Sequence, residues 1–131
     1  MKIYFSVHAD KIYSKIAGLV RAYIHDCYCV RENGIITKWP EIYSSRDFVH
    51  SSEIDRFNAL HDSVGMFVLP NEWALDSHQI FELKVWLILQ KKYGARPVYA
   101  IFERNGEWIC AKAEFVEGGL REISQKRLED K

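Results

Sequence analysis

Two periods of hydrophobic residues take turns along this chain. Lys2–Val7 alternates and is rich in β-formers, which predicts a first strand. Ile12, Ile16, Leu19, Val20, Tyr23, Ile24 and Cys27 then recur at helical spacing, with Asp10 placed to cap that helix. Residues 27–39 fit either a strand near 35–39 or a hairpin about Asn33-Gly34, and the polar run 40–50 reads as a loop. Ser52 and Asp55 resemble a capping box with a shorter acid, and Ile54, Phe57 and Leu60 give the following helix its stripe. Residues 64–69 are almost continuously apolar, as in a strand covered on both faces. Residues 79–93 predict a helix that is apolar nearly all round, stopped by Gly94. A strand is predicted over 97–103. Asn105-Gly106, between β-like runs at 98–102 and 108–113, is the strongest hairpin signal in the chain. After Gly118-Gly119, the contacts Leu120, Ile123 and Leu128 suggest a short terminal helix over 120–128.

The alternation of strand and helix predicts one α/β domain over residues 1–131. The expected form is a three-layer, Rossmann-like (flavodoxin-like) parallel sheet with helices on both faces and a C-terminal β-hairpin. A chain of 131 residues with 48% hydrophobic content buries a real core. Eighteen basic residues balance eighteen acidic ones, and no basic stripe is visible, which argues against a nucleic-acid polymer as partner. Three cysteines, Cys27, Cys29 and Cys110, do not make a disulfide framework and suit a reducing cytoplasm. Cys27 and Cys29 lack the spacing of a zinc site, so buried thiols and no metal are expected. The longest apolar run, 85–89, is too short to cross a membrane, and Met1-Lys2 leads into a strand without a signal-peptide pattern. The apolar surface of 79–93 exceeds what one sheet contact covers, which predicts a homo-oligomer, a dimer or larger.

The candidate chemistry centres on two carboxylates. Asp76 falls in the loop past the strand at 64–69, and Glu82 on the first turns of the next helix. Ligands of open α/β sheets bind at that end of the strands. One carboxylate there can attack or stabilise an electrophilic sugar carbon while a second handles the proton. The structural alternative is a helix-capping Asp76 and a Glu82 paired with a cation. Asp76-Ser77-His78 holds the residue types of a hydrolase triad, but adjacent residues do not converge as one. His78 is instead expected at the helix start or the pocket mouth. Trp73 and Trp39 offer π-faces to a base. Ser6, Ser44, Ser45, Arg46 and Ser77 offer groups for a phosphate, without phosphate-loop spacing.

With these elements placed, the chain resembles the nucleoside 2-deoxyribosyltransferase-like superfamily, which includes nucleoside deoxyribosyltransferases and nucleoside 5′-monophosphate N-glycosidases. The resemblance rests on Tyr4 in the first strand, Asp55 on the helix before the central strand, Asp76 and Glu82 six apart, Phe81-Glu82-Leu83, and Arg96-Pro97-Val98 at a strand start. It spans roughly residues 1–103. It implies that Glu82 is the nucleophile at C1′ of a nucleoside or nucleotide and that Tyr4 orients it. Asp76 would contact the sugar and Asp55 would help protonate the leaving base, with no cofactor. Ser6, Ser77, His78, Arg46 and Trp73 are the expected substrate contacts. His78, Gln79 and Lys84 stand where the family has glycine, threonine or serine, and glycine. Long side chains there also permit a catalytically inactive ligand-binding or interaction protein on the same fold. A glycohydrolase acting on a dinucleotide such as NAD is a third possibility.

Overall fold

The computed structural model describes residues 1–48, 51–94, 96–116 and 119–127. Along the chain, β1 (Lys2–Val7) leads to α1 (Lys15–Tyr28). A small pair, β2 (Val30–Glu32) and β3 (Ile35–Lys38), precedes β4 (Glu41–Ser44). Then come α2 (Glu53–Asp62), β5 (Gly65–Leu69), α3 (Ser77–Tyr93), β6 (Val98–Arg104), β7 (Glu107–Val116) and β8 (Gly119–Arg127). Six strands form one sheet in the order β4-β1-β5-β6-β7-β8. The first four are parallel neighbours; β7 and β8 extend the sheet antiparallel. The protein is therefore α/β with a mixed, mostly parallel sheet, and the parallel core expected from 2–7, 64–69 and 97–103 is present.

Strand β1 shows why both faces are covered. Its odd residues Ile3, Phe5 and Val7 pack on Ile16, Ala17, Val20 and Ile24 of α1. Tyr4, on the opposite face, packs with Ala59 and Leu60 of α2 and with Leu83, Trp86 and Leu89 of α3. Burying each large apolar side chain contributes about 1.5–3 kcal/mol, so β1 is held from two sides. Asn33-Gly34 and Asn105-Gly106 each carry positive φ at both residues, 53° and 79° in the first and 54° and 79° in the second. That backbone joins antiparallel strands with the correct twist, so both sequence signals became hairpins.

Several expectations are corrected. Ser14, not Asp10, caps α1, its hydroxyl accepting the Ala17 N–H at 3.2 Å; Asp10 sits in a separate 3-10 turn, Ala9–Lys11. The stripe assigned to α2 is displaced: Ile54 is 71% exposed and Phe57 40%, while Arg56, Ala59 and Leu60 face inward. The run 40–50 contains β4 and a 3-10 turn, Ser45–Phe48, with its last two positions outside the described residues. The terminal segment is strand β8, paired along β7, rather than a helix; Gly118 and Leu128 lie outside the described residues. The buried thiols expected at Cys27 and Cys29 are not found, for Cys27 is exposed and Cys29 half-buried; Cys110 is buried, and none of the three is in a disulfide. Among the described residues, no helix is long and apolar enough to cross a membrane.

Candidate active site

Glu82 points inward from the second turn of α3 and is 0% exposed. Because residues alternate across a strand, Tyr4 and Ser6 of β1 both face α3. The Tyr4 hydroxyl donates to Glu82 Oε2, and Ser6 Oγ donates to Oε1 at 2.8 Å. Ser45, just past the end of β4, approaches both carboxylate oxygens at 2.9 and 3.1 Å while accepting the Val7 N–H at 3.0 Å. Three hydroxyls from two neighbouring strand ends thus converge on one acid. Arg56, buried on α2, completes the ring with Nη1 3.6 Å from Glu82 Oε2, and its Nη2 donates to the Phe48 carbonyl at 3.2 Å.

Two opposed effects set the charge on Glu82. Burial pushes its carboxyl up from 4.5 to about 7, against the hydrogen bonds of Tyr4, Ser6 and Ser45 and the charge of Arg56, which all favour the carboxylate. Desolvation wins, and the acid is poised between its two forms near neutral pH. Burial, and then the adjoining Glu82 charge, hold the Tyr4 phenol far above its ordinary value, so Tyr4 remains a donor.

Asp76 makes the helix cap that was one of its two expected readings. It is the N-cap of α3, its Oδ1 accepting the Gln79 N–H at 2.8 Å, with the Gln79 side chain returning a bond to the Asp76 N–H. Its other oxygen accepts the Ala9 N–H at 2.7 Å and ties the loop after β1 to α3. Gln79 is fully buried. Its Nε2 donates to Ser6 O at 3.2 Å and Leu69 O at 3.0 Å, bridging the ends of β1 and β5. A serine or threonine at 79 is too short to span both carbonyls.

The remaining expected residues divide. Asp55 lies on the exposed side of α2, its N–H donating to Ser52 Oγ, and does not join Glu82; its neighbour Arg56 does. Ser77, His78 and Lys84 are exposed on α3, so neither His78 nor Lys84 fills the space beside Glu82. Arg46 lies over the Tyr13 ring at 5.2 Å. Trp73, with φ of 73°, rests on Phe102 with ring centroids 4.4 Å apart, and Trp39 meets His25 edge-on. Among the described residues, no group of three or more His, Cys, Asp or Glu is placed to hold a metal ion. Sequence reasoning did not single out Arg56. Its signal was the inward series Arg56, Ala59, Leu60 and Ser63, at helical spacing with an arginine among small and apolar positions. No protein-family model, curated protein or solved structure matches this chain.

Proposed function

We propose that this protein cleaves or exchanges the N-glycosidic bond of a nucleoside or nucleotide, with Glu82 as nucleophile. The observation that carries this reading is the Tyr4–Glu82 hydrogen bond, made between β1 and α3 within a ring that Ser6, Ser45 and Arg56 complete. The strand order β4-β1-β5-β6 supports a Rossmann-like, flavodoxin-type arrangement, in which the order reverses at β1 and β5 and ligands meet the carboxyl ends of those strands. Ser6, Asp76 and Gln79 all lie at that reversal.

In this reading the ionised Glu82 attacks C1′ as the C1′–N bond breaks, and the base leaves with the bonding electron pair and takes a proton from water. Water or a second base then displaces the glycosyl ester, with net retention. Tyr4, Ser6 and Ser45 hold the carboxylate in one orientation, and Arg56 favours its charged form. Each Asp76 oxygen keeps acceptor capacity for a sugar hydroxyl. The turn Ser45–Phe48 covers the acid, with Phe48 stacked on Tyr4 at 6.1 Å, so substrate enters by displacing that turn. No cofactor takes part, because the N-glycoside is itself the electrophile. Cys27, Cys29 and Cys110, none of them in a disulfide, support a cytoplasmic setting, and the small-molecule substrate leaves no role for a nucleic-acid polymer. The exposed Ile54, Phe57, Ile88 and Tyr93 of α2 and α3 support a homodimer through that face.

Two observations favour a second reading, a ligand-binding protein without catalysis. Glu82 is wholly buried, and Gln79 closes the ends of β1 and β5. Incubation with nucleosides, nucleoside monophosphates and NAD, followed by chromatography for free base, separates the two. Base release from one class, lost in Glu82→Gln, is the expected result. Release from none supports the binding protein, and release from NAD alone marks the dinucleotide glycohydrolase.

A further inference from the structure

A second feature lies on the opposite face of the sheet, one residue from the Glu82 ring. Ser44 and Ser45 are consecutive. Ser45 turns toward Glu82, whereas Ser44 pairs in register with Phe5 and faces the α1 side. There it lines a cavity of about 330 Å³ between α1 and the end of β4, together with Ser14, Gly18, Arg21 and Arg46. Ser44 is 1% exposed and its Oγ has no hydrogen-bond partner among the described residues. A buried hydroxyl left unpaired is unfavourable, and a ligand acceptor in the cavity would satisfy it. The charged lining is one-signed: Arg21 and Arg46 are both cationic, and no acid among the described residues lines the cavity, although the chain has no net charge. Asp47 is not among the lining residues; its carboxylate accepts the Ser44 N–H at 2.9 Å.

Two further observations fit an anion. The cavity opens at the first turns of α1, whose N-terminal dipole favours negative charge. Gly18 lies within that helix, where glycine is unfavourable, and a Cβ there would meet nothing within 4 Å. Packing does not require the glycine, and its bare backbone leaves the cavity wall open.

We propose that this cavity is a phosphate subsite that takes a phosphomonoester, with Arg21 and Arg46 supplying charge and Ser44 Oγ a hydrogen bond. Identifying its natural ligand as a nucleoside monophosphate rests on the function proposed above; the anion site itself does not. Its position beside Ser45 makes the end of β4 common to both faces, so phosphate held at Ser44 and Arg46 acts on the turn that covers Glu82.

Calorimetric titration tests this with inorganic phosphate, a nucleoside monophosphate and the matching nucleoside. The expected order is monophosphate tighter than phosphate, with phosphate competing against the monophosphate and affinity falling as salt rises. Ser44→Ala and Arg21→Gln should each weaken the monophosphate by roughly tenfold. Gly18→Leu should abolish phosphate binding while circular dichroism stays native, because leucine is the better helix former and meets open space. Unchanged affinity in folded Gly18→Leu, or no binding of either phosphate compound to the wild type, overturns the proposal. Phosphate binding lost in Gly18→Leu by a protein that releases no base upholds the subsite and removes only the enzymatic reading.

Discussion

Replacing Glu82 with glutamine should change how stability depends on pH, and the size of the change follows from the site. In the folded protein the Glu82 carboxyl is raised from 4.5 to about 7, chiefly by burial. Between those values the native state holds a proton that the unfolded chain has released. Stability contributed by the raised group is therefore complete below pH 4.5 and is lost as pH rises through about 7. A tenfold difference in proton affinity between the folded and unfolded chain corresponds to about 1.4 kcal/mol, so the whole window is worth about 3 kcal/mol. That is a large part of the ~5–15 kcal/mol by which domains of this size are stable. Glutamine has no proton to lose, and its amide puts a donor where the carboxyl offered an acceptor to the Tyr4, Ser6 and Ser45 hydroxyls, which adds a pH-independent offset. Urea unfolding of both proteins across a pH series, with equal m-values, isolates the effect. The stability difference, wild type minus Glu82→Gln, should fall by about 3 kcal/mol from below pH 4.5 to above pH 7. Parallel curves would refute the reasoning, because Glu82 would then titrate at its ordinary value despite its burial.

Asp76→Ala should cost about 1–2 kcal/mol in urea unfolding, through loss of the α3 cap and the tie to Ala9, whereas Asp76→Asn should keep most of it because asparagine caps equally well. Asp76→Asn should also slow base release without altering retention, which proton NMR of the product anomer reads. Phe57→Glu combined with Ile88→Asp should convert a dimer to a monomer in light scattering; a monomeric wild type would remove the proposed dimer.

The parts of the fold legible in the sequence were those fixed by local chemistry. The Asn105-Gly106 hairpin, the covered strand at 64–69 and the Gly94 stop each rest on a few neighbouring residues, and each is present. Strand β4 was missed because it is four residues long, lies at the sheet edge and follows Pro40, so little apolar alternation marks it. Strand β8 was read as a helix because Leu120 and Ile123 sit three apart among charges. Pairing with β7, a tertiary contact, decided otherwise. In the site, the Tyr4–Glu82 contact was legible because it joins two motif positions. Asp55 was expected beside Glu82 and Arg56 was not considered; adjacent helix residues point about 100° apart, and Arg56 is the one that faces α3. Ser45 was weighed only as a phosphate contact, because nothing local shows that a turn after β4 brings it against Glu82.

The central claim is that Glu82 forms a bond to sugar, and the most direct test is to catch that bond. The protein would be incubated with a nucleoside or nucleotide bearing fluorine at C2′, which slows breakdown of the glycosyl ester by destabilising positive charge at C1′. It would then be quenched in acid, digested and mapped by mass spectrometry. The expected result is one added glycosyl group on the peptide that carries Glu82, absent in Glu82→Gln. An adduct on another residue, or none from a substrate whose base is released, would contradict the assignment of Glu82 as nucleophile.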